Sequence, residues 1–124
     1  KDLDREELYV FEQEEKVLGA IVISDLKDPF YEAIQWKCPT GKNMYIHRLC
    51  VHPIAQGKGY AKALMDFAEN KAKKEGFQSV RLDTFSLNEK NVAFYTKRGY
   101  SRLGDIYFPV KSKAPFHCFE LPIS

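Results

Sequence analysis

The stretch VHPIAQGKGYAKAL, Val51 to Leu64, sets Gly57 and Gly59 two residues apart just before a segment with helical periodicity. The first turn of a helix carries backbone N–H groups without intrahelical partners, together with the positive end of the dipole. Glycines at that point let an anion approach the main chain, and Lys58 and Lys62 would add positive charge beside it. Two phosphate motifs are excluded. The dinucleotide fingerprint G-x-G-x-x-G meets Lys62 where its third glycine should be, and the Gly-Lys-Ser or Gly-Lys-Thr of a triphosphate loop occurs nowhere. Taken alone, the glycines serve a tight strand-to-helix turn equally well.

Other residues able to do chemistry are few. Imidazole is the side chain suited to proton transfer near neutrality. On a regular strand His47 shares a face with Tyr45 and Leu49 and gains no distinct partner. His52 precedes Pro53 and shapes a turn, while His117 and Glu120 lie on a late strand that could line an acceptor site. Asp83 faces either a helix or a substrate cleft. Cys38, Cys50 and Cys118 are odd in number and lack C-x-x-C or metal-ligand spacing, so they read as reduced thiols in a cytosolic protein, with Cys50 buried and structural. No metal site is expected.

The elements that must position these residues follow from periodicity. Leu8 to Phe11 and Val17 to Ile23, joined by the acidic link Glu12 to Lys16, predict a β-hairpin. An irregular excursion through Pro29, Pro39 and Gly41 leads to a third strand, Met44 to Val51, stopped by Pro53. From Tyr60 the apolar positions Tyr60, Ala61, Leu64, Met65, Ala68 and Ala72 recur at helical spacing, with lysines in the last turns and Gly76 as the stop. Ser79 to Phe85 alternates as a strand, and Asn88 to Arg98 is a short helix closed by Gly99. Tyr100 to Leu103, Ile106 to Val110 and Phe116 to Leu121 are candidate final strands. The strand–helix–strand from Met44 to Phe85 is a parallel crossover, which should be right-handed. The expected fold is α+β, of the three-layer α/β type: a mixed, largely antiparallel sheet around that crossover, with helices on its faces.

The chain has 124 residues, enough for one domain with one core spanning 1–124. It is 44% hydrophobic and 14% aromatic, ample for a packed interior. A net charge of +2 from 19 basic and 17 acidic residues yields no basic stripe, which argues against a nucleic-acid surface. Apolar runs are too short for a membrane span or signal peptide, so a cytoplasmic location is expected. The chain starts at Lys1 rather than Met, consistent with a trimmed N-terminus.

A valine ending a strand, then His-Pro, then Gln56-Gly57-Lys58-Gly59-Tyr60-Ala61 opening a helix, resembles the acyl-CoA-binding element of the GNAT family of acetyl-CoA-dependent N-acetyltransferases. That element runs Gln or Arg, two residues, Gly, one residue, then Gly or Ala, and Gln56, Gly59 and Ala61 match it. Downstream, Asn88, Tyr95, Gly99 and Tyr100 resemble the family's second signature. The resemblance implies that N–H groups from Gln56 to Ala61 hold the pyrophosphate of coenzyme A. It implies that Leu49, Cys50 and Val51 run beside the pantetheine arm, in a gap where this strand splays from the one ending near Phe85. A bulge near Cys50 or Val51 would free a backbone N–H to polarise the thioester carbonyl. Asn88 and Asn91 would face the arm, and Tyr95 would act as the acid toward the leaving thiolate. His47 is the weaker candidate for a base. No metal and no covalent intermediate are implied; the partners are acetyl-CoA and an amine, and a homodimer is left open. Family members begin with a further strand and one or two helices, whereas only residues 1–7 precede the hairpin here, so the domain is expected to be short or truncated at its N-terminus. The function implied is direct acetyl transfer to a primary amine of a small molecule or peptide, the alternative being a catalytically silent acyl-CoA-binding or sensor module.

Overall fold

Among the described residues, eight strands and α-helices follow one another: β1 (Glu6–Gln13), β2 (Lys16–Ser24), β3 (Asn43–Val51), α1 (Tyr60–Lys74), β4 (Ser79–Phe85), α2 (Glu89–Lys97), β5 (Ser101–Ile106) and β6 (Phe116–Pro122). The computed structural model describes residues 6–25, 29–38, 41–53, 57–107 and 113–123. The strands form one six-stranded sheet in the order β1-β2-β3-β4-β6-β5. β3 and β4 pair in parallel across the α1 crossover, and the other neighbours pair antiparallel. The sheet is therefore mixed and mostly antiparallel, and the fold is α+β.

Alternation along the strands sorts two cores onto opposite faces. Ile21, Ile23, Met44, Ile46, Val80, Leu82 and Phe119 meet the helices, joined by Leu64, Met65, Ala68 and Ala72 of α1 and Tyr95 of α2. β1 holds the N-terminal half of α1 through ring contacts, Phe11 on Tyr60 at 4.6 Å and Tyr9 on Phe67 at 4.7 Å. Both helices thus share one face rather than dividing between the two. The crossovers β3–α1–β4 and β4–α2–β5 step across the sheet in the same direction, and a right-handed crossover then lands on the same side each time. The other face is covered by the segment 29–38. After a 3-10 turn at Pro29–Ala33, it lays Tyr31, Ile34 and Trp36 over Tyr45, Ile106 and Cys118.

That second face also seals a polar network. Arg81 and Glu120, 2% and 0% exposed, form a buried ion pair with Arg81 Nε donating to Glu120 Oε2 at 3.1 Å. Arg81 Nη1 donates to the Tyr45 hydroxyl at 2.8 Å, and its guanidinium lies 4.4 Å from the Trp36 ring centroid. Glu120 accepts a further hydrogen bond from the Lys37 backbone. Glu120 is a structural group here and lines no acceptor site.

At the far edge, two of the strands expected between Tyr100 and Val110 merge. β5 runs without a break from Ser101 to Ile106, and residues 108–110 lie outside the described residues. A register shift between Arg102 and Gly104 lets the ladder to β6 continue through what reads as a turn. A Cβ at Gly104 would come within 2.8 Å of Ile34 Cδ1, so a larger residue would push the end of that side chain aside.

Candidate active site

The site starts at a bulge in β3. Against β2, Ile23 pairs with Ile46 and Val22 with Arg48, leaving His47 as the extra residue. The bulge is therefore at His47 and not near Cys50 or Val51. Its effect is to reverse the alternation. Met44 and Ile46 face the helices, and beyond the extra residue it is Leu49 that packs on that core. Cys50 consequently turns outward and is exposed, contrary to its expected burial. The same shift removes His47 from the face of Leu49 and leaves it exposed.

Parallel pairing of β3 with β4 stops at Ile46–Leu82, although β3 continues to Val51 and β4 to Phe85. The strands splay, and a cleft of about 440 Å³ opens between Leu49, Cys50 and Val51 of β3, Ala61 of α1, and Asn88, Lys90 and Asn91 at the start of α2. A second hollow of about 280 Å³ shares Val51 and Ala61 with it and is walled by Gly57, Gly59, Tyr60, Lys62 and Phe94. Together they run from the sheet gap to the N-terminus of α1.

That terminus is built to receive an anion. Gly57 and Gly59 adopt left-handed φ of 83° and 87°, and a Cβ on either would meet no protein atom within 4 Å. The conformation favours glycine, and the space beside it is open. Gly59 is the N-cap, no side chain caps the helix, and no acidic residue sits in its first turn. Lys62 lines the hollow with its ammonium 3.0 Å from Asp66, and Lys58 is exposed at the turn. Gln56 lies outside the described residues. These groups fit a phosphate-bearing ligand whose narrow arm enters the gap between β3 and β4.

On the α2 side, Asn88 is the N-cap: its Oδ1 accepts from the Asn91 backbone N–H at 3.1 Å. Asn91 reaches toward the sheet, with Nδ2 3.5 Å from Thr84 Oγ1. Tyr95, 5% exposed, packs against Phe94, Tyr100 and Phe119 with centroids 5.1, 5.8 and 6.1 Å away. Its hydroxyl makes no hydrogen bond with a described residue, yet no fully buried side-chain oxygen among the described residues lacks a partner. The Tyr95 hydroxyl oxygen is thus not fully buried. Burial pushes the phenol up to about 12, with Arg98 opposing the shift and Asp83 adding to it.

Two features of the site had no local signal in the sequence. Lys90 and Phe94 complete the cleft walls. Arg98 Nη2 donates to Asp66 Oδ1 at 2.8 Å and Glu69 Oε1 at 2.7 Å, and the Tyr100 hydroxyl donates to Glu69 Oε2 at 2.7 Å, which ties the end of α2 to α1. His117 Nδ1 lies 2.7 Å from Asp105 Oδ1 across β5 and β6.

The sequence model of the acetyltransferase (GNAT) family matches residues 1–100. The chain is 28% identical over 102 residues to N-acetyltransferase 8B of Homo sapiens, covering 82% of this chain and 41% of that protein. It thus spans about two fifths of that relative's length. In fold it resembles the ribosomal-protein-S18-alanine N-acetyltransferase from Escherichia coli, with a TM-score of 0.76 at 18% identity over 98% of this chain and 71% of that one. It also resembles a chain of the NatC complex bound to Gag peptide and CoA, with a TM-score of 0.69 at 22% identity over 87% and 62%. A cleft between splayed parallel strands, a glycine turn at its mouth and a family match over most of the sequence lead to one conclusion: the chain belongs to the GNAT acetyltransferase family.

Proposed function

We propose that the protein is an acetyl-CoA-dependent N-acetyltransferase acting directly on a primary amine of a small molecule or peptide. One observation carries this reading: the splay of β3 from β4 and the uncapped glycine turn of α1 open into adjoining hollows that share Val51 and Ala61. Gly57, Gly59 and the first N–H groups of α1 would hold the pyrophosphate of coenzyme A, with Lys62 and Lys90 supplying countercharge. Leu49, Cys50 and Val51 would flank the pantetheine arm opposite Asn91. Bound there, acetyl-CoA supplies its acetyl group as an activated thioester. Tyr95 would stand at the inner end of the gap as a hydrogen-bond donor. A phenol pushed up to about 12 lies roughly 3.5 units above an ordinary thiol, a gap of ~5 kcal/mol, so it supports a developing thiolate better by donating a hydrogen bond than by surrendering its proton. Support for a peptide amine comes from the two fold relatives, one named for an alanine of ribosomal protein S18 and the other bound to a Gag peptide.

Calorimetry with coenzyme A on the wild type and Gly59→Asp tests the cofactor site. The variant places a carboxylate where the pyrophosphate would sit, and affinity should collapse in a folded protein. Unchanged binding would remove the site. Thiol release from acetyl-CoA with a panel of amines tests transfer, and binding without any turnover would leave the silent acyl-CoA module.

A further inference from the structure

The hollows proposed to hold coenzyme A take walls from both helices. α1 brings Ala61 and Lys62, and α2 brings Lys90, Asn91 and Phe94, so the distance between the helices sets the width of the site. The first turn of α2 approaches the sheet through Asn91, 3.5 Å from Thr84 Oγ1. Its other end is held more tightly. Arg98, the C-cap of α2, is 14% exposed and reaches across to α1. Its Nη2 donates to Asp66 Oδ1 at 2.8 Å and to Glu69 Oε1 at 2.7 Å, and its Nε donates to Glu69 Oε2 at 3.2 Å. Asp66 and Glu69 stand three residues apart on α1, which puts both carboxylates on one side of that helix, within reach of one guanidinium. The paired bonds to Glu69 are a geometry that a planar guanidinium makes and an ammonium cannot. The Tyr100 hydroxyl donates to the same carboxylate and holds it in place.

This clamp touches two walls of the hollow beside the glycine turn. On α1, Asp66 receives Arg98 on Oδ1 and Lys62 on Oδ2, the latter at 3.0 Å, and Lys62 lines the hollow. On α2, the guanidinium carbon lies 5.8 Å from the centroid of the Phe94 ring, and Phe94 lines the same hollow. We infer that Arg98 is a positioning residue of the coenzyme A site: by clamping α2 to α1 it holds the Phe94 wall at a fixed distance from the Lys62 wall. It acts through those side chains and not by contact with the reacting atoms. Without the clamp, α2 would have to be ordered at the moment of binding, and that ordering costs affinity. The inference rests on the transferase reading and adds to it a residue that lies outside the glycine turn and the cleft lining.

Calorimetric titration with coenzyme A compares the wild type, Arg98→Met, Phe94→Ala and the double variant, each well below its own Tm. Arg98→Met should weaken coenzyme A roughly 10-fold, a coupling ordinary for residues in contact. Arg98→Lys keeps the charge without the paired bonds and should recover only part of that loss. In the Phe94→Ala background the cost of Arg98→Met should shrink to roughly 3-fold or less, because residues that act through one another are not additive. A residue that only stabilises the fold would lower Tm and leave the affinity of the folded protein unchanged. Wild-type affinity in Arg98→Met, or a full loss that persists alongside Phe94→Ala, would overturn the assignment. Should Arg98→Met not fold, Arg98→Lys is read in its place: a few-fold loss supports the clamp and wild-type affinity removes it. A wild type that binds no coenzyme A would bring down the transferase reading and this inference together, whereas a binding wild type with equal binding in the Arg98 variants would bring down the inference alone.

Discussion

A phenol held near 12 stays protonated throughout the physiological range, so Tyr95 offers a donor at every pH where an acetyl transfer would run. Tyr95→Phe keeps the ring in its contacts with Phe94, Tyr100 and Phe119 and deletes only the hydroxyl. Turnover should fall roughly 10²- to 10³-fold, the loss expected on removing one hydrogen-bond donor to developing charge. The loss should lie in kcat and not in KM, because the group acts on charge that develops only as the bond breaks. Steady-state kinetics with a true acceptor checks this, and a wild-type kcat would reduce Tyr95 to a packing residue. His47 has lost ground as a base: it is the exposed extra residue of a bulge, with no neighbour to orient it among the described residues.

At the scale of the element, the β1–β2 hairpin carries an unusual turn. Gln13 pairs with Lys16, so the loop is Glu14 and Glu15, both left-handed with φ of 52° and 66°. A two-residue turn of this kind suits Asn-Gly, since each non-glycine residue held there costs ~1–2 kcal/mol. Replacing the pair by Glu14→Asn with Glu15→Gly should stabilise the protein by about 1–2 kcal/mol and raise Tm by several degrees. Calorimetric melting decides it. A lower Tm would mean that the glutamates contribute something other than the turn. The acidic link was legible as a connector, but its handedness depends on the ladder closing on both sides of it.

At the scale of the whole molecule, the Arg81–Glu120 pair ties β4 to β6 beneath the covering segment. Arg81→Met leaves Glu120, 0% exposed, without its cation and should cost about 3–5 kcal/mol in urea unfolding. Adding Glu120→Leu should recover much of that loss. A small effect of the single variant would mean that the network relaxes around the carboxylate. Alkali probes the helix face. The folded-state pKa of Tyr95 is raised to about 12 from 10.0, so its contribution is complete below pH 10 and is lost as pH rises toward 12. Two units correspond to roughly 2–3 kcal/mol. Stability measured between pH 9 and 12 should therefore decline, and the decline should be shallower in Tyr95→Phe. Equal slopes would mean that the phenol ionises as freely in the fold as in the unfolded chain.

The order of the elements through the second helix, the parallel crossover and the glycine turn at the head of a helix were all legible in the sequence. Each depends on residues a few positions apart, where periodicity and turn chemistry act directly on the backbone. Tertiary structure decided the rest. The bulge at His47 arises only when β3 is laid against β2, and it turns Cys50 outward. The shared face of the two helices follows from the direction in which successive crossovers step across the sheet. The pairs Arg98–Glu69, Arg81–Glu120 and Tyr31–Asp83 join residues 29, 39 and 52 positions apart. Nothing local marks such partners, because what selects them is burial. Once the sheet closes over a charged or hydroxyl group and excludes water, that group must find a partner in whatever segment the fold brings alongside it.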